Sequence, residues 1–273
     1  MQRILLFLLA LLLCLPFLFK KDINPVLSYD QQEKFDSRLS YINTVQKLIS
    51  HTDSIALSGN IKAGTYEYAA VLESVISNRF YHGFSHFTLS ENWVAAVSGR
   101  WLKEDYACKV QPEAIMQQSY AACSQQSLLM MAVLRKKGMN YRSVGFPHHY
   151  AMEVQAGNEW YFFDANMEPS ISKENRSLSH WQHQNDYLKK FYDSKHYGNL
   201  DYQFGKGQTA IVGAINEEPA KNARLFHAIT AVLSAMAWCL PLLLMFYRFR
   251  LRSALPFISL RLLQQKPSLS LSA

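Results

Sequence analysis

Three residues able to carry thiol chemistry follow one another through the middle of the chain: Cys123, His149 and Asp164. Cys123 opens the stretch "CSQQSLLMMAVLRKKG", in which Leu128, Leu129, Met131, Ala132, Val133 and Leu134 make an apolar surface wider than one stripe. A helix patterned this way is buried on most sides. Lys136 and Lys137 suit its last turn and Gly138 its stop. At a helix N-terminus the unpaired N–H groups favour negative charge on a cysteine sulfur, as a neighbouring imidazolium does. Taken alone, however, a cysteine before an apolar helix reads as one more small core residue. The chemistry depends on what else reaches it.

Downstream, "YRSVGF", "HYAMEVQ" and "EWYFFDA" have strand character, and Gly157-Asn158 suits a two-residue hairpin turn. That turn sets Ala156 opposite Glu159, Ala151 opposite Asp164 and His149 opposite Asn166. His149 and Asp164 then share one face in a diagonal relation, with Cβ atoms ~7 Å apart, within reach of an imidazole–carboxylate hydrogen bond. His148 points to the other face. If the buried helix packs on the His149 face, Cys123 meets His149. Asp164, with Asn166 as the alternative, would fix the imidazole's tautomer and orientation.

The whole stretch "CSQQSLLMMAVLRKKGMNYRSVGF…HYAMEVQAGNEWYFFDAN" resembles the transglutaminase-like superfamily of papain-like thiol enzymes, in a bacterial, membrane-anchored form. The resemblance rests on Cys123, Leu134, Arg135, Gly138, Arg142, Val144, His149, Glu153, Val154, Trp160, Tyr161 and Asp164. Ala121 and Ala151 stand where that family has a glycine and an aromatic residue. The resemblance implies Cys123 as nucleophile, His149 as general base and acid, and Asp164 as the orienting carboxylate. Papain-like enzymes place an oxyanion-binding glutamine six residues before the cysteine, and Gln117 stands there. It would act with the Cys123 backbone N–H, and Trp93 and Trp101 are the other donors considered.

Around this core the elements follow a simple order. Residues 22–105 read as mostly helical. One helix is expected over the segment carrying Phe35, Leu39, Ile42 and Val45 or Leu48, a second capped by Thr65, and a third capped by Ser90. Pro112 suits a first helical turn. Residues 106–224 hold the nucleophile helix and the antiparallel strands, with 170–205 read as loops and a peripheral helix. Helices first and strands second make an α+β fold rather than an alternating one. The resemblance sharpens this to a papain-like core, to which the apolar ends of the chain add flanking transmembrane helices.

Both ends of the chain are apolar. Ile4–Phe19 is 16 uncharged residues, the length of a signal-peptide core or a short anchor. No small-residue cleavage site precedes "KKD", which favours an uncleaved anchor over residues 1–21. Leu225–Tyr247 is 23 residues, broken only by His227, Thr230 and Ser234, and "RFRLR" follows. That reads as a transmembrane helix with a basic cytoplasmic tail, 248–273, which puts residues 22–224 on the periplasmic side of a bacterial inner membrane. The net charge of +7 belongs to these flanks: without the eight basic residues beside the apolar runs, the middle is near neutral. Nucleic acid is therefore excluded as a partner.

Of the four cysteines, only Cys108 and Cys123 lie outside the apolar runs, so a disulfide between them is the competing structural reading. His180 and His183 have a spacing that can bind metal but lack further ligands in pattern, and they read as surface histidines. No cofactor motif is present. The expectation is a Cys-His-Asp enzyme that acts on amide bonds of a protein or peptide substrate, by hydrolysis or acyl transfer. The alternative is a silent module of the same fold serving binding or assembly in a cell-envelope complex.

Overall fold

A computed structural model describes residues 2–24, 29–30, 33–167 and 169–247. The basic tail 248–273, assigned above to the cytoplasm, lies outside the described residues. The described chain is a mixed α+β structure, as its element order implied. The N-terminal half is helical: α1 (Gln2–Cys14), α2 (Val45–Ser58), α3 (Tyr66–Arg79), α4 (Leu89–Trp101) and the short α5 (Pro112–Ile115). Helix α6 (Cys123–Lys136) follows, and then the strands β1 (Tyr141–Gly145), β2 (Tyr150–Ala156) and β3 (Glu159–Phe163).

Local signals set several of these boundaries. Thr65 caps α3 as expected, its hydroxyl accepting from the Tyr68 N–H at 3.3 Å. Pro112 occupies the first turn of α5. The helix expected from Phe35 onward does not form in one piece. Asp36 caps a single 3-10 turn over Ser37–Tyr41, Ile42 leaves helical geometry, and Thr44 restarts the chain as α2. The Thr44 hydroxyl accepts from the Lys47 N–H at 3.1 Å, the local competition that makes threonine a starter of helices rather than a mid-helix residue. Thr88, not Ser90, precedes α4, and the Glu91 carboxylate accepts from its N–H at 2.8 Å. Inside α4, Asn92 departs from helical geometry (φ −159°, ψ 81°).

The hairpin register is the expected one, with Ala156 opposite Glu159 and Met152 opposite Phe163. Strand β4 (Ile211–Val212) completes a four-stranded antiparallel sheet in the order β3-β2-β1-β4. Helices α2, α3 and α6 cover the face carrying Tyr141, Met152, Val154 and Phe163. This corrects the expected packing, because His149 has the opposite strand parity. The other face carries Val144, Ala151 and Phe162, and it too is buried. Its cover is a run of short helices, α7 (Lys173–Arg176), α8 (Leu178–Trp181), α9 (Asn185–Leu188), α10 (Ser194–Tyr197) and α11 (Leu200–Phe204). Residues 170–205 are thus no mere periphery: Trp181, Leu188, Tyr192 and Phe204 form a second core there.

At the C-terminal end the expected 23-residue helix is absent. Helix α12 (Lys221–Met236) and a second piece, Cys239–Tyr247, meet at a 53° bend. No single helix among the described residues is long and apolar enough to cross a membrane, although the bent pair together is. Helix α12 packs along α4.

Gly138 ends α6 at φ +67°, with nothing within 4 Å of where a Cβ would stand. The cost of Gly138→Ala is therefore backbone strain alone, expected at about 1–2 kcal/mol in denaturant unfolding, with Gly138→Asn losing less.

Candidate functional site

Helix α6 starts without a capping oxygen of its own, since Ala122 is the residue before Cys123. Gln125 does that work from inside the helix. Its Oε1 accepts from the N–H groups of Ala122 (3.2 Å) and Ser85 (2.8 Å), and its Nε2 donates to the carbonyls of Ser85 and Lys109 (2.8 Å each). Every hydrogen-bonding position of this buried amide is used. It ties the first turn of α6 to two neighbouring segments. Lys109, itself buried, donates to Glu91 of α4 at 3.0 Å. Cys123 is half-buried at this anchored helix end, and the first-turn N–H groups have no partner within the helix.

His149 lies just before β2 and Asp164 just after β3, both beyond the regular pleat. This is how they reach Cys123 although their strand parity faces away from α6: the site sits at the sheet's end, level with the helix N-terminus. His149 Nε2–H donates to Asp164 Oδ2 at 2.7 Å. Cys123 lies close enough to act on the same ring. The imidazole is 2% exposed and the carboxylate 1%. Burial alone would lower the imidazole pKa; the charge and hydrogen bond of Asp164, helped by Cys123, overcome it and push the pKa up to about 10. Burial would raise the Asp164 pKa, but the His149 charge and hydrogen bond, the Tyr192 hydroxyl and the Met167 N–H hold it below the ordinary carboxylate range. The result is a buried imidazolium–carboxylate pair at neutral pH, with the Cys123 sulfur beside it.

Asp164 is held by more than histidine. Tyr192 donates its hydroxyl to Oδ2 at 2.7 Å, and the backbone N–H groups of Asn166 and Met167 donate to Oδ1 at 3.2 Å each. Its own N–H donates to Glu73 Oε1 at 2.8 Å. Glu73 in turn is gripped by Arg176, whose Nη1 lies 2.9 Å from both carboxylate oxygens and 3.1 Å from the Phe162 carbonyl.

The chain matches no family model, no curated protein and no solved structure.

The other expected site residues fare differently. Gln117 does not serve an oxyanion: its exposed Nε2 donates to the Asn43 carbonyl at 2.7 Å. The indole N–H of Trp93 is spent on the Ser234 carbonyl, and Trp101 is an exposed residue at the end of α4. Asn166 holds Asp164 through its backbone N–H, not through its amide, whose Nδ2 is buried without a hydrogen-bond partner. Cys108 and Cys123 are both free thiols, which removes the disulfide reading, and Cys108 donates to the Glu104 carbonyl at 3.5 Å. His180 is exposed, as expected, whereas His183 is not simply a surface histidine. It bonds Glu153 at 3.1 Å, in a cluster with Arg142 (2.6 Å) and Trp181 (3.1 Å).

Sequence reasoning missed Glu73, Gln125, Arg176 and Tyr192. Gln125 alone had a local signal, standing three residues after Ala122 at the spacing of a capping-box glutamine. The other three lie on segments remote in sequence, and no spacing rule links them to Asp164.

Two expectations follow from the burial. Because the His149 pKa is raised from 6.5 to about 10, its stabilising contribution is complete below pH 6.5 and disappears as pH climbs toward 10. The depressed Asp164 group contributes above 3.8 and loses that contribution as pH falls below it. Denaturant titrations of the wild type should therefore lose stability between pH 6.5 and 10, and His149→Gln should flatten that slope. Arg176→Met strands the buried Glu73 carboxylate and should cost about 3–5 kcal/mol, part of which the Glu73→Gln/Arg176→Met double variant recovers.

Proposed function

We propose that the protein is a transglutaminase-like cysteine enzyme of papain-like type, acting on amide bonds through an acyl-enzyme. The observation that carries this reading is the meeting of Cys123, His149 and Asp164 at one helix end, with the carboxylate fully hydrogen-bonded. A structural cysteine has no use for a buried imidazolium. A nucleophile does, because the cation favours negative charge on sulfur and holds a proton ready for the leaving group.

The steps balance as follows. Cys123 attacks the amide carbonyl carbon as the thiolate, its proton being the one that His149 Nδ1 carries, and the resulting oxyanion lies against the first-turn N–H groups of α6, beginning with that of Cys123. The His149 imidazolium gives its Nδ1 proton to the leaving amine as the C–N bond breaks, which leaves a thioester. The neutral imidazole then takes a proton from water or an acceptor amine, which attacks the thioester and expels the sulfur. The products are a carboxylic acid or a new amide. Asp164 stays ionised throughout and keeps Nε2–H pointed at itself.

The substrate is a protein or peptide carrying the acyl group, and no cofactor is needed. The catalytic part faces the extracytoplasmic side of a bacterial inner membrane. The apolar runs at both ends and their basic flanks support that placement.

Iodoacetamide labelling followed by peptide mass spectrometry tests the assignment. Cys123 should react on the order of 10²-fold faster than Cys108, and His149→Ala should remove the difference. Gln117→Ala should leave the Cys123 rate unchanged. Equal, slow labelling of both thiols, in wild type and variant alike, would point instead to a silent module.

A further inference from the structure

Helix α12 has its polarity inverted for a helix packed on a domain in water. Beyond its first turn its polar residues, His227, Thr230 and Ser234, recur every three or four positions and are 1–3% exposed. Thr230 and Ser234 are consumed at the break in α4, and His227 at the turn that follows that helix. Asn92 Nδ2 donates to Thr230 Oγ1 at 2.9 Å and to the His227 carbonyl at 3.3 Å. Ser234 Oγ donates to Asn92 Oδ1 at 3.0 Å and accepts from the Val94 N–H at 3.1 Å, a donor left free by the irregular turn. His227 Nε2–H donates to the Tyr106 carbonyl at 3.1 Å. The outward side is apolar: Leu225, Ile229, Val232, Leu233 and Met236 are each more than half exposed. Water selects the reverse arrangement; hydrocarbon selects this one, because polar groups must find partners inside the protein.

Two further features adjoin the same element. The 3-10 turn Leu15–Leu18 packs on α4, and the carbonyls of Phe19 and Lys21 accept from the N–H groups of Ser90 and Leu89 at 3.1 Å each. Helix α1 beyond it is apolar and exposed along most of its sides. At the other end of α4, Trp101 is 75% and Leu102 77% exposed, between Arg100 and Lys103. An indole flanked by cations and adjoining apolar surface suits the headgroup layer. A protein groove would cover one side of α1 and leave the rest in water. Lipid covers all of it.

We infer that α1, the C-terminal end of α4 and the outer side of α12 form one lipid-contacting platform, clamped together through Asn92. The catalytic part then rests on the bilayer at a fixed attitude instead of swinging from flexible anchors. This rests on the membrane placement proposed above, and its partner is the bilayer itself.

The full chain, reconstituted in vesicles of phospholipid brominated high on its acyl chains, tests both statements. Tryptophan emission is compared with that in unbrominated vesicles for the wild type, Trp101→Phe and Trp238→Phe. The component lost in Trp101→Phe should be quenched by the brominated lipid and shielded from acrylamide. If Trp101 is quenched by acrylamide and not by bromine while Trp238 is quenched by bromine, the domain stands clear of the membrane and the platform is refuted. If neither quencher reaches Trp101, a protein covers it, and the platform is equally refuted. If bromine quenches neither tryptophan, the membrane placement fails as well.

Discussion

A carboxylate removed from water must receive every hydrogen bond it needs from the fold, and Asp164 is that group here. It accepts from His149, Tyr192 and two backbone N–H groups, and its own N–H is committed to Glu73. Leaving such a charge unmatched would cost several kcal/mol, so the segments that supply these bonds are constrained together. Tyr192 brings in the run of short helices, Glu73 brings in α3, and Arg176 closes the circuit to the backbone of Phe162. Much of the architecture around the sheet's end answers the demand of one buried charge.

The same logic operates at Cys123. Cys123 is useful only where the helix end meets the imidazole, and a helix capped by alanine has little to locate its first turn. Gln125 supplies that location through four bonds to three other residues. Lys109, whose carbonyl it holds, links this end of α6 to the exposed Glu91 at the start of α4. One residue further, Asn92 receives the polar edge of α12.

Buried polar groups of this kind favour a single arrangement, because each alternative packing leaves a donor or acceptor unmatched. The helical half and the sheet half carry separate apolar cores on the two faces of the sheet. Apolar contact alone would tolerate sliding of one layer over another. The ion pair of Glu73 with Arg176, the amide of Gln125 and the carboxylate of Asp164 do not.

Short-range signals determined much of this protein. The helix behind Cys123, its stop at Gly138, the Thr65 cap, the hairpin register and the pairing of His149 with Asp164 were all legible, because each depends on residues close in sequence and on a fixed period. The same reasoning put α6 on the wrong face of the hairpin, since it extended the pleat to residues that lie beyond the strand ends. It chose Gln117 by offset, although that amide is satisfied by a carbonyl of a distant turn. It read His227, Thr230 and Ser234 as interruptions of an apolar run when they are the side by which the helix is held. What binds Asp164, locates Cys123 and orients α12 comes from residues tens of positions away, such as Glu73, Arg176, Tyr192 and Asn92. Only tertiary structure decides those pairings, because burial creates the need for a partner and three-dimensional proximity, not spacing, supplies it.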